Sequence, residues 1–168
     1  MFSQNEKLAG LFFVVGGIVY LWANGAGVHY GSAMLTEIGL VLLGVLMLAG
    51  AYFTQVAFKS TLLTIFLVLA AVGSIGVAAA PMGGSVYYAL AYLGYASFGI
   101  SAILSYKYTK SPFNYLFLVL GVLSLIGLLL WVANVNFGSG MTASPTIVDF
   151  LALPWLVAFG ANIAREKS

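Results

Sequence analysis

Residues 115–134 read YLFLVLGVLSLIGLLLWVAN, twenty positions without a charged side chain. No other feature constrains the chain so strongly. A helix of that length is about 30 Å long, which matches the hydrocarbon core of a bilayer. It has no polar face with which to meet water. Only 6% of the whole chain is charged, against about 25% in ordinary soluble domains, so the solvent this sequence expects is lipid.

Five further apolar runs have similar length. The six spans are predicted at about 8–25, 38–58, 61–80, 86–106, 115–134 and 146–164. Polar or helix-breaking residues separate them: a loop over 25–37, Lys59 and Ser60, a tight Pro81-Met82-Gly83-Gly84-Ser85 turn, a basic turn over 107–114, and a second polar loop over 135–145. The start, MFSQNEKL, shows no small-residue cleavage site after a short apolar core, so the first span is expected to be retained. The expected fold is all-α, a single domain over 1–168 built as a polytopic six-helix bundle. With six crossings, Lys7, Lys59, Lys107, Lys110, Arg165 and Lys167 all fall on one side. Cytoplasmic loops carry the Lys/Arg excess, so both termini are predicted to be cytoplasmic in a multi-pass cell-membrane protein.

Small residues recur in spans three and four, among them Gly73, Gly94 and Gly99. In lipid, small residues let helix backbones approach closely, so these two spans are expected to form a tight antiparallel pair. Pro154 interrupts span six and is expected to kink it. Residues 43–50 (LGVLMLAG) and 120–127 (LGVLSLIG) are alike. That match suits an inverted three-helix repeat, or else chance within a Leu/Gly/Val alphabet.

No charge is expected at mid-membrane depth, where ion carriers and proton relays need one. Ser74, Tyr95, Ser97 and Ser124 are expected near mid-depth, with their hydroxyls serving helix packing. On the outer face the spans bring His29, Glu37, Asp149, Asn24 and Asn134 to similar depth, with Asn136 in the loop beyond. Two carboxylates and an imidazole suit a cation or acid–base chemistry. The same two acids also suit the first turns of their helices, where the dipole stabilises them, and Thr146 with Asp149 has capping-box spacing. There is no cysteine, which excludes thiolate metal sites and cysteine nucleophiles. One histidine cannot ligate haem from both sides within a chain. No cofactor and no metal is called for. A net charge of +2 with no basic stripe excludes a nucleic-acid partner. Aromatics gather near the predicted borders, Trp22, Tyr30 and Trp131 outside and Tyr106, Tyr108, Phe113 and Tyr115 inside, as an interfacial belt.

The turn SYKYTKSPF (105–113), the run LVLGVLSLIGLLL (118–130) and the run LALPWLVAFGANI (151–163) resemble a family of archaeal and bacterial membrane proteins known as domain of unknown function 998. LTEIG (35–39) is similar to its acidic stretch after the first outer loop, with Glu37 in the acid position. More distantly, the six-helix plan is similar to the Frag1/DRAM group. The resemblance implies the six-helix fold and brings no activity.

Three functions follow as expectations. The leading one is a structural, accessory or binding protein of a membrane complex, with the lipid bilayer and either other membrane subunits or further copies of the chain as partners. The second is a small transporter or channel for a neutral or lipidic compound, with an outward-facing acidic vestibule. An intramembrane lipid enzyme ranks last, because the inventory of nucleophiles and metal ligands is thin.

Overall fold

The structure is a computed structural model that describes residues 4–134 and 145–165, with the side chains of the last helix described from Leu151 onward. Among these residues there are six α-helices and no strand: α1 (Gln4–Tyr30), α2 (Ala33–Phe58), α3 (Thr61–Ala79), α4 (Ser85–Ser105), α5 (Phe113–Val132) and α6 (Pro145–Arg165), with a single 3₁₀ turn (Tyr106–Tyr108) after α4. α1 to α5 are each long and apolar enough to cross a membrane, and α6 adds the apolar stretch Leu151–Arg165. The chain is a multi-pass membrane protein. Large apolar side chains such as Leu11, Ile18, Val45, Ile65 and Leu129 are exposed around the whole bundle, which water would penalise and lipid does not.

Each helix packs against the next in sequence, and α6 packs back on α1, so the bundle closes as a ring. The charge pattern follows. Gly10 near the start of α1 lies against Gly160 and Ala164 near the end of α6. The rings of Phe58 and Tyr108 meet at 5.1 Å. The α2–α3 turn therefore sits beside the α4–α5 turn, and Lys7, Lys59, Lys107, Lys110 and Arg165 share one end. Lys167 lies outside the described residues.

The turns differ from expectation at one place. The predicted loop over 25–37 is helical almost throughout, and the break shrinks to Gly31 and Ser32. Gly31 adopts φ +64°, the left-handed conformation that suits glycine after a helix. The Ser32 N–H donates to the Gly27 carbonyl at 2.8 Å and the Gly31 N–H to the Val28 carbonyl at 3.4 Å. This paired 6→1 and 5→2 pattern is a Schellman close. In lipid an open polar loop would leave backbone groups unpaired, so continuing the helix is favoured over the composition signal. On the opposite side, Lys59 closes α2 in the left-handed region, its N–H donating to the Gln55 carbonyl. Ser60 then caps α3 by accepting from the Leu63 N–H at 3.4 Å.

Glycines set how closely the ring is drawn. A Cβ added to Gly73 would stand 2.5 Å from the Gly94 Cα, so α3 and α4 touch backbone to backbone. Gly99 faces the other way. Its Cβ would meet Leu125 at 2.8 Å and the Gly121 carbonyl at 3.3 Å, so it belongs to the α4–α5 seam and not to the α3–α4 pair. On α1, Gly10 and Gly17 face α6 while Gly16 faces α2. On α2, Gly39 and Gly50 face α1 while Gly44 faces α3. Gly44 and Gly121, which the 43–50 and 120–127 match would equate, thus pack on α3 and α4. An inverted repeat would pair α3 with α6, so the contacts do not follow it.

The core below the cavity described next is aromatic. Trp155, Phe13, Phe117 and Phe159 are fully buried, and Trp155 stacks on Phe159 at 5.8 Å. The Trp155 Nε1 donates to the Ser105 Oγ at 3.0 Å, tying α6 to α4. Pro154 lies inside α6 and is exposed. It removes one helical donor on the exposed surface of the ring.

Candidate functional site

The half of the bundle away from the basic end holds a partly open cavity of about 190 Å³ to which all six helices contribute. Helical spacing explains which residues reach it. Tyr20 and Asn24 are one turn apart on α1; Thr36, Leu40 and Leu43 follow at i, i+4 and i+7 on α2. Ser74 and Val77 come from α3, and Leu90, Gly94 and Phe98 from α4 at i, i+4 and i+8. Trp131 from α5 and Ala152 and Leu153 from α6 close the wall. From Tyr87 to Phe98, both lining residues, the cavity runs about 16 Å along α4, roughly half the hydrocarbon thickness.

Its polar groups are neutral. They are the phenols of Tyr20, Tyr87 and Tyr95, the Asn24 amide, and the Thr36 and Ser74 hydroxyls. Ser74 spends its proton on the Ala70 carbonyl at 3.0 Å, the packing role expected of it, and so offers the cavity lone pairs only. Trp131 is held by a column of tyrosines on α4. Its ring meets Tyr92 at 4.9 Å, Tyr95 at 5.8 Å and Tyr88 at 6.4 Å. Edge-to-face contacts of this kind fix ring orientation beyond what burial alone does. No Asp, Glu, Lys, Arg or His lines the cavity among the described residues, and no group of three or more metal-ligating His, Cys, Asp or Glu occurs among them.

The described residues of the expected outer site do not all reach the cavity. Asn24 lines the cavity. His29 is exposed on the last turn of α1, its ring 4.8 Å from that of Tyr30. Glu37 is exposed and is the fifth residue of α2, beyond the first turn in which it was expected to act on the helix dipole. The helix starts earlier than expected because Ser32 takes the N-cap position. Asn134 is exposed in the left-handed conformation just after α5, φ +50°. α6 begins at Pro145, and the side chains of the expected Thr146–Asp149 capping box lie outside the described residues. The Asp149 side chain and Asn136 lie outside the described residues. The structure thus brings Asn24, but neither His29 nor Glu37, to the cavity.

Tyr20, Thr36, Tyr87 and Trp131 line the cavity and were not expected there. The available signal was the pair of polar side chains at i and i+4 in α1, Tyr20 and Asn24, inside an otherwise apolar span. Comparison of the chain with models of known families, with curated proteins and with solved structures finds no match.

Proposed function

We propose that this membrane protein binds a small, uncharged, partly apolar molecule in the cavity between its six helices. One observation carries the reading: hydroxyl and amide groups are spaced along a wall of aromatic and aliphatic side chains with no ionisable acid or base among the described lining residues. Pockets of this kind hold ligands by burial and orient them with a few polar groups. The basic residues gathered at one end support a membrane orientation with both termini cytoplasmic and the cavity in the outer half. The run that carries the resemblance to domain of unknown function 998 supplies Ala152 and Leu153 of the cavity wall.

The test is gentle detergent extraction from the native membrane followed by native mass spectrometry. The expected result is a single chain carrying one small neutral molecule. That adduct disappears in Ala91→Phe, which fills the cavity from α4. A stoichiometric second protein together with an empty cavity would instead make this chain an accessory subunit and refute the binding reading.

A further inference from the structure

Most buried hydroxyls of this bundle are accounted for within their own helices. Thr54 donates to the Gly50 carbonyl at 2.8 Å, Ser74 to Ala70 at 3.0 Å and Ser105 to Ala102 at 2.6 Å. Thr109 donates to Ser105 at 3.1 Å and Ser124 to Leu120 at 2.8 Å. This is the usual fate of serine and threonine in a membrane helix. Ser101 departs from it. Its residue is 0% exposed, and its Oγ has no hydrogen-bond partner among the described residues. An unpaired buried hydroxyl carries the full penalty of its desolvation, so a partner from outside the chain is favoured there.

The position of Ser101 gives that partner a route. Gly94 and Phe98 line the deep part of the cavity. Ser101 follows Phe98 by three residues on the same stripe of α4, one turn toward the basic end. Ser105 follows by four more, and Thr109, beyond the 3₁₀ turn, is held beside it by its hydrogen bond to the Ser105 carbonyl; both are buried. Hydroxyls therefore continue the line of the cavity toward the opposite face of the bundle. The line is closed at Ser105, whose Oγ also accepts the Trp155 Nε1–H at 3.0 Å. No Asp, Glu, Lys, Arg or His belongs to this line, so it offers an ion nothing in exchange for its hydration.

We propose that the cavity is the outer vestibule of a path along α4, with Ser101 as the hydrogen-bonding station beneath it. The solutes it serves are small, uncharged and hydrogen-bonding, of glycerol or urea size. Phe98 separates vestibule from station, and the Trp155–Ser105 pair closes the inner end. The inference rests on the cavity being a binding site.

The test uses the full-length protein reconstituted in phosphatidylcholine vesicles, with glycerol and urea entry followed by stopped-flow light scattering. Wild-type vesicles should fill at least several-fold faster than protein-free ones. Ser101→Ala should lose most of that gain although it widens the path, because the station is removed; Ser101→Thr, which keeps the hydroxyl, should retain it. Entry at the protein-free rate in wild type overturns the path. So does a Ser101→Ala variant as fast as wild type. The small-molecule adduct of native mass spectrometry separates the two readings. An adduct without flux leaves the binding site standing and removes the path, whereas neither adduct nor flux removes both.

Discussion

The α3–α4 seam gives the most exacting prediction, because its two glycines look equivalent and are not. Gly73 and Gly94 oppose each other, yet a methyl group fits one and not the other. On Gly73 it would lie 2.5 Å from the Gly94 Cα, 2.7 Å from the Gly94 N and 2.9 Å from the Leu90 carbonyl, all backbone atoms that no rotamer change can move. On Gly94 it would lie 3.4 Å from the Gly73 Cα and 3.6 Å from the Gly73 carbonyl carbon, ordinary contact. Overpacking of this kind costs about 1–3 kcal/mol. Both substitutions share the helix-propensity gain of Gly→Ala, up to about 1 kcal/mol, so their difference isolates the steric cost. Gly73→Ala should therefore be less stable than Gly94→Ala by about 1–3 kcal/mol. At about 2–4 °C per kcal/mol for a chain of this length, the midpoints should differ by roughly 2–12 °C. Thermal unfolding of both variants in one mild detergent, followed by tryptophan fluorescence, measures the gap. A Gly73→Ala protein as stable as Gly94→Ala, or more so, would refute the backbone contact.

Other predictions follow from the same geometry. A double-mutant cycle of Trp155→Phe and Ser105→Ala should give a coupling of about 0.6 kcal/mol, the usual size for a hydrogen bond between membrane helices; zero coupling would deny the bond. The chain lacks cysteine, so single cysteines report cleanly. Met82→Cys in the α3–α4 turn should react with a membrane-impermeant maleimide from outside intact cells and Ser111→Cys should not; the reverse pattern would invert the orientation. Glu37→Gln and His29→Ala change exposed residues away from the cavity and should leave the bound small molecule in place. Its loss in either variant would move the site to the outer face.

The span count was legible because Lys7, Lys59, Lys107, Lys110 and Arg165 can share one side only with six crossings. The α3–α4 pair was legible from Gly73 and Gly94. The break between α1 and α2 was misplaced because Gly25, Gly27 and His29 look like loop by composition. Its true mark was local and readable: a left-handed glycine at Gly31 that closes α1, followed by Ser32 at the N-cap position of α2. The cavity was not legible. Tyr20, Thr36, Ser74, Tyr95 and Trp131 come from five helices, and no spacing along a chain states which faces will converge. Asn24 lines the cavity and Glu37 does not, because a similar position along two helices does not say which faces they present.

The glycine seams also set the angles at the corners of the ring. Gly94 and Gly99 address α3 and α5 from one helix. Five residues at about 100° each set those two directions about 140° apart around α4. On α2, Gly39 toward α1 and Gly44 toward α3 repeat the interval of five. On α1, Gly10 toward α6 and Gly16 toward α2 are six apart, which gives about 120°. Seen from any corner of a regular hexagon, the two neighbours stand about 120° apart. An interval of four residues would give about 40° and fold neighbours onto the same side. The spacing of glycines along three separate helices thus sets three corners of the ring between about 120° and 140°. One residue inserted between Gly94 and Gly99 would swing Gly99 about 100° around α4 and off the α5 seam.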